Sequence, residues 1–253
     1  MCARLDPEDH RGMSRMTGMV ALVTGASKGL GRAVAAAYAR EGASLVLCAR
    51  GQAGLEAAAA ECRGLGAEVM AVVADIAVAA DRERLVSGAL DRFGRVDVLV
   101  NNASTLGPVP LPLLADIDPD AFDEVVRVDL VAPFLLARAV MGAMLVHGFG
   151  VLINVSSDAA VEAYPGWGAY SAAKAGLDGL TRVWAAELAG SGVRAVSIDP
   201  GDMDTEMHRA ALPDDDPAGL ARPKDVAEAF VRLVVAEADG VRHRATELME
   251  VAR

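Results

Sequence analysis

Thr24-Gly25-Ala26-Ser27-Lys28-Gly29-Leu30-Gly31 follows the apolar run Val20–Thr24 and leads into an alanine-rich stretch at 30–41. Glycine permits a tight turn and a close approach of the backbone to a pyrophosphate. The helix N-terminus beyond it offers unpaired N–H groups and the positive end of a dipole. The spacing is Gly-x-x-x-Gly-x-Gly, not the commoner Gly-x-Gly-x-x-Gly. Alone, such a stretch is either a phosphate cradle or a plain strand-to-helix corner. Gly25, Ser27, Lys28, Gly29, Leu30 and Gly31 are the candidate phosphate contacts.

Reading outward, short β-branched runs alternate with longer Ala-rich stretches, the pattern of repeated βαβ units. Strands are predicted at Val20–Thr24, Ser44–Cys48, Glu68–Ala74, Val96–Val100, Val151–Val155 and Arg194–Ile198, with a weak seventh near Thr246–Val251. Helices are predicted at 30–41, 53–64, 80–92, 119–147, 168–189 and 224–237. The expected fold is α/β: one Rossmann-like doubly wound domain over 17–253, its mostly parallel sheet of about seven strands covered by helices on both faces. Residues 1–16 are polar, lack the apolar centre of a signal peptide, and read as a disordered tail. Met13 and Met16 are alternative starts. The Pro-rich segments 102–118 and 200–222 both follow a strand, so both should emerge at the carboxyl edge, where open α/β sheets bind ligands.

The 253 residues are 53% hydrophobic with a formal net charge of −11, enough for a full core and wrong for nucleic acid or anionic membrane. No apolar run reaches the roughly 18 residues of a membrane span. Cys2, Cys48 and Cys62 form no CxxC and fit reduced thiols in a cytoplasmic protein. The four histidines are scattered, so no metal site is expected. No Gly-x-Ser-x-Gly elbow supports a hydrolase.

Tyr170 and Lys174 are spaced i, i+4 within the predicted helix 168–189, so phenol and ammonium share one face. Ser157 follows the fifth strand, thirteen residues before Tyr170. A phenol titrates near 10 when unperturbed, and an ammonium within about 4–6 Å lowers that value. Tyr170 could then exchange a proton with a carbonyl or alcohol oxygen oriented by Ser157. At the end of the second strand, Leu47-Cys48-Ala49-Arg50 carries no acid to accept bonds from a ribose 2′-OH. Arg50, with Lys28 in the turn, suits a 2′-phosphate, so NADP(H) is favoured over NAD(H).

These residues together resemble the short-chain dehydrogenase/reductase family. The matches run in order: Thr24–Gly31, Asn101-Asn102-Ala103-Ser104, Ser157, Tyr170 with Lys174, and Pro200-Gly201, covering roughly 17–205. The resemblance implies an oxidoreductase moving a hydride between NADP(H) and a small carbonyl or secondary alcohol, with Ser157, Tyr170 and Lys174 catalytic and Lys174 also bonding the nicotinamide ribose. Asp75, with Ile76 beside it, resembles the adenine-contacting acid; an N-cap role for Asp75 is equally open. Asn101 and Ala103 resemble residues beside the adenosine ribose, with a simple Asn101-Asn102 turn as the alternative. Pro200, Gly201, Met203 and Thr205 resemble the nicotinamide loop, and Thr205 could equally cap the following helix. Residues 104–118 and 202–222 would wall the substrate pocket, with Tyr164, Trp167, Met207 and Leu212 as apolar contacts.

Three departures stand out. Asp129 replaces the asparagine of a Val-Asn-Leu segment that helps a water lead from the lysine to solvent, which puts the proton relay in question. Ser104 replaces a glycine. The usual Val-Asp-Gly-Gly ending is missing, which leaves homodimer and homotetramer both open. Asp129 also motivates an alternative, a catalytically idle NADP-binding sensor; an epimerase or dehydratase on the same scaffold is a third reading.

Overall fold

The computed structural model describes residues 14–236 and 241–250. Along the first half, β1 (Val20–Thr24), α1 (Gly29–Arg40), β2 (Ser44–Ala49), α2 (Gln52–Gly64), β3 (Val69–Val73), α3 (Ala79–Phe93) and β4 (Val98–Asn101) alternate. Next come α4 (Pro119–Val126), a π-helical turn (Arg127–Val131), α5 (Ala132–His147) and β5 (Gly150–Val155). The chain continues through α6 (Gly168–Glu187), β6 (Val193–Asp199), α7 (Glu206–Ala211), α8 (Pro223–Val235), β7 (Arg242–Arg244) and α9 (Ala245–Glu250). The strands form one parallel sheet in the order β3-β2-β1-β4-β5-β6-β7. Strand order reverses between β1 and β4, and a doubly wound sheet opens its crevice there, beyond the carboxyl ends.

The two-residue period of a strand explains the layers. Ala21 and Val23 of β1 face one side, with Leu45, Leu47, Val98, Val100, Val151 and Ile153, against Val34 of α1, Leu55 of α2 and Phe230 of α8. Val20 and Leu22 face the other, with Val46, Leu99 and Leu152, against Leu85 of α3 and Leu136, Val140 and Met144 of α5. Burial on both faces is why these strands read as continuous apolar runs instead of alternating.

Local chemistry sets the element ends. Asp118 Oδ1 accepts from the backbone N–H of Asp120 (2.9 Å) and Ala121 (3.3 Å), and Pro119 sits at the first helical position of α4. Gly148 closes α5 in the left-handed conformation, at φ 68°.

Four sequence expectations need correction. The predicted helix 119–147 contains the π turn, which places Val128 and Asp129 among the buried residues. The apolar 3.6-residue period runs straight through it and cannot reveal one wider turn. Taken as one helix, 119–147 has 29 residues and a mean hydropathy of 1.8 in its apolar window, long and apolar enough to cross a membrane, contrary to the reading that no stretch was. Its inner face is nevertheless fully buried against the sheet through Leu136, Val140 and Met144, the pattern of a core helix.

The seventh strand is Arg242–Arg244, and 245–250 is helix instead. An Arg-His-Arg edge strand carries no apolar signature. Finally, Ser14–Met16 do not belong to a tail. Arg15 forks onto Glu41 (2.6 and 2.9 Å) and reaches Glu228 (3.0 Å), while Met16 is fully buried. The rest of the expected tail, 1–13, lies outside the described residues, as do 237 and Val251.

Candidate active site

The carboxyl edge opens into a cleft of about 1050 Å³ whose wall includes the glycine turn, Arg50, Ser157, Tyr170 and Lys174. Thr24 builds its floor. The buried Oγ1 accepts from the N–H of Asn102 and of Ala103, both at 3.0 Å, lacing β1 to the loop after β4. Asn102 Nδ2 donates back to the carbonyls of Thr24 (2.8 Å) and Gly25 (3.3 Å). Gly25 sits at φ +65°, and a Cβ there would lie 2.9 Å from Ala103 Cα. At Gly31 a Cβ would fall 2.4 Å from both Asn102 Nδ2 and the Gly25 carbonyl. Only glycine allows this crossing. The turn thus delivers α1 N-terminus first into the cleft, where Lys28 gives no side-chain cap and the first turn holds no acid. Those N–H groups are left for an anion.

Arg50 lines the cleft beyond β2 and has no ion-pair partner among the described residues. Lys28 is different: its ammonium pairs with Glu206 of α7. Asp75 lines the cleft beside Ile76. Its Oδ1 accepts from Ala77 N (2.9 Å), an Asx turn, while the N-cap of α3 is Val78, so the N-cap reading of Asp75 is corrected. Ala103, Pro200, Gly201, Met203 and Thr205 all face the cleft. Thr205 does cap α7, accepting from His208 N at 3.2 Å. Met203 bridges Ala221, which closes the base of the 202–222 loop.

Asn101 is corrected. It is buried in the sheet, with Nδ2 donating to Asn154 Oδ1 (2.8 Å), and Asn102 takes the cleft position. A strand's alternation decides which of two adjacent asparagines points inward, and the sequence alone left the strand end one residue uncertain.

Ser157 follows β5 and caps the short turn Asp158–Ala160. Its Oγ donates to Asp158 Oδ1 (2.9 Å) and accepts from Ala159 N (3.1 Å). Tyr170 and Lys174 lie on one face of α6, as the spacing requires, both buried. Trp167 packs edge-on against the Tyr170 ring with centroids 5.6 Å apart. Lys174 Nζ donates to the Val155 carbonyl (2.8 Å), stands 3.7 Å from Asp129 Oδ2 and 5.4 Å from the Tyr170 ring centre.

The electrostatics depart from expectation. Burial pushes the Tyr170 phenol above its ordinary value and Asp129 adds to the rise, while the nearby Ser157 and Ser104 hydroxyls oppose it. The lowering expected from Lys174 is therefore reversed. Lys174 is itself pushed down by burial against the opposing pull of Asp129. Asp129 is pushed up, also by burial, against Lys174, Ser104 and the Thr105 N–H. A low-dielectric pocket disfavours each isolated charge, and the opposite charge of its neighbour works against that push.

Sequence reading missed several contributors. Asp158 holds Ser157 and accepts from the Tyr164 hydroxyl (2.8 Å). Arg242 of β7 donates to the Ser157 carbonyl (3.0 Å) and to Asp178 Oδ2 (2.9 Å), bracing the serine from the far edge. Asn102 was visible in its motif, but nothing in the sequence linked Arg242 to Ser157.

A parallel sheet of this order, with a helix N-terminus, a phenol and a buried lysine lining one cleft at its carboxyl edge, defines a Rossmann-like doubly wound α/β protein. The short chain dehydrogenase family model matches residues 19–216. A 3-oxoacyl-(acyl-carrier-protein) reductase of Synechocystis sp. is 40% identical over 77% of this chain and 78% of its own. Among solved structures, a metagenomic short-chain oxidoreductase in complex with NADP has a TM-score of 0.78 at 32% identity, covering 90% of this chain and 97% of that one. A 3-ketoacyl-(acyl-carrier-protein) reductase of Brucella melitensis complexed with NADH gives 0.83 at 33% identity, covering 90% and 97%. The chain belongs to the short-chain dehydrogenase/reductase family of oxidoreductases.

Proposed function

We propose that this protein moves a hydride between NADP(H) and a small carbonyl or secondary alcohol, with Tyr170 as the proton donor or acceptor. The observation that carries the reading is the convergence of Ser157, Tyr170 and Lys174 in the same cleft as the uncapped α1 N-terminus and Arg50, which has no ion-pair partner among the described residues. The residues fit such a dinucleotide: Gly25 and Gly31 let the turn cross the Asn102–Ala103 loop, which presents the uncapped α1 N-terminus to the cleft for a pyrophosphate. When bound, the dinucleotide supplies or accepts the hydride.

The chain's own groups do the rest. The first turn of α1 and Ser27 would hold the phosphates, Arg50 the 2′-phosphate, Asp75 and Ile76 the adenine edge, and Met203 and Thr205 the carboxamide. Arg50 supports NADP(H) over NAD(H); Lys28 contributes only after release from Glu206. Ser157 orients the substrate oxygen and Tyr170 gives it a proton. Burial raises the phenol, which keeps it protonated at neutral pH, the form that donates to a carbonyl oxygen. The 202–222 loop, with Met207 and Leu212, would cover the substrate. A homodimer or homotetramer is the assembly we favour, since Val131 of the π turn and Val146 of α5 lie exposed where a second copy could cover them.

Fluorescence titration with NADPH and NADH, followed by NADPH consumption with a panel of ketones, tests the reading. Tighter NADPH binding and net consumption are expected. Failure to bind either coenzyme would end it, and binding with recycling instead of consumption would assign an epimerase or dehydratase.

A further inference from the structure

Glu206 opens α7, the helix of the 202–222 loop, and its carboxylate holds the ammonium of Lys28 in the phosphate turn. The two residues stand 178 positions apart, and their ion pair joins the substrate side of the cleft to the coenzyme side. We propose that Glu206 sets coenzyme preference: it occupies the cation of the phosphate turn, so that a 2′-phosphate must win Lys28 from a carboxylate. This role rests on the NADP(H) reading above and opposes the preference that Arg50 creates.

The parts meet at one corner of the cleft. A Cβ at Gly54 of α2 would lie 3.2 Å from Ser27 Cβ, so the start of α2 packs on the turn. The chain just before α2 carries Arg50 into the wall that also holds Lys28 and Glu206. A Cβ at Gly29 would lie 3.5 Å from Thr205 Cγ2, so the residue before Glu206 already rests on the turn from the other side.

More than Lys28 holds Glu206 in place. Thr205 caps α7 through the His208 N–H at 3.2 Å, Arg209 bonds back to Asp204, and Met203 bridges Ala221. An anion arriving at the turn therefore meets a carboxylate that stays when its partner leaves. Lys28 first, and Arg209 after it, draw Glu206 below the usual carboxylate range, so it is ionised at neutral pH.

The charges decide which coenzyme is affected. While Lys28 is paired, Arg50 alone favours the additional phosphate; with the carboxylate gone, two cations do. The pyrophosphate is common to both coenzymes, so repulsion of it by Glu206 falls on both alike. Release of Lys28 is worth most to the coenzyme that brings the extra charge. The two side chains are 66% and 65% exposed, which limits the pair to about a fivefold change in an equilibrium constant.

Calorimetry with NADPH and with NADH tests this on the wild type, Glu206→Gln, Lys28→Met and the double variant. Glu206→Gln should tighten NADPH about three- to fivefold and NADH by less than about twofold, raising the preference for NADPH. On the Lys28→Met background the same substitution should leave the preference where it was. A loosened α7 would change both coenzymes alike, with or without Lys28, so the preference separates specificity from structure. An unchanged or reduced preference in Glu206→Gln, or an equal gain on both backgrounds, overturns the proposal. A wild type that binds neither coenzyme ends the redox reading and this role with it; binding with an unmoved preference ends only the role of Glu206.

Discussion

Thr24→Val isolates the bonds that seat the phosphate turn. Valine keeps the shape of a fully buried side chain and deletes only the hydroxyl. The Ala103 N–H, 3.0 Å from Oγ1, loses that acceptor. The Asn102 N–H keeps a second one, the Val100 carbonyl at 3.1 Å, and so loses less. One orphaned donor costs about 1–3 kcal/mol and one weakened bond about 0.5–1 kcal/mol. Both donors are only part-buried, so the lower half applies, and the total is about 2 kcal/mol. Against a typical stability of about 5–15 kcal/mol this is a large fraction. With a urea slope of about 2–3 kcal/mol per molar, the unfolding midpoint should fall by roughly 0.7–1 M. Thr24→Ser, which keeps the hydroxyl and loses a methyl, should cost about 1 kcal/mol. NADPH affinity should drop in the valine variant and hold in the serine one. A valine variant unfolding at the wild-type midpoint would refute this lacing of β1 to β4.

Other expected outcomes concern the turn, the cofactor choice and the buried thiols. Gly31→Ala drives a Cβ within 2.4 Å of backbone and should abolish NADPH binding in calorimetry; wild-type affinity would show that the turn has slack. Arg50→Ser should weaken NADPH about tenfold or more and leave NADH within a factor of about two, as loss of a charge-assisted phosphate bond requires. Equal weakening of both would remove Arg50 from the discrimination. Burial pushes the Cys48 thiol up to about 12 and Cys62 up to about 11, from 9.0. Above pH 9 the unfolded chain therefore sheds protons that the folded chain keeps, so stability must fall as pH rises through that window. A Cys48→Ala, Cys62→Ala chain should show a flatter alkaline limb in urea titrations; an unaltered slope would count against the burial effect.

The parallel sheet was legible because strands buried on both faces must be continuously apolar, and Val20–Thr24, Ser44–Cys48 and Val151–Val155 are. Tyr170 and Lys174 were legible because a helix maps spacing onto a face. What escaped the sequence depends on contacts between distant segments. Arg242 has no apolar periodicity to mark β7, yet it bonds the Ser157 carbonyl. Ser104 and Asp129 read as two separate oddities, since they stand 25 positions apart with a whole helix between them. The phenol's upward shift was invisible because it comes from burial, which no local motif records. Arg15 and Met16 looked like tail because their partners, Glu41 and Glu228, are far along the chain.

Tyr170→Phe tests the centre of the account most directly, because it deletes one oxygen and leaves the ring against Trp167. The measurement is single-turnover NADPH oxidation with a ketone the wild type reduces, alongside NADPH affinity. Affinity should be unchanged and the rate should fall by about 10²–10⁴-fold, the usual worth of a positioned proton donor. Equal rates in the two proteins would contradict a proton passing through Tyr170.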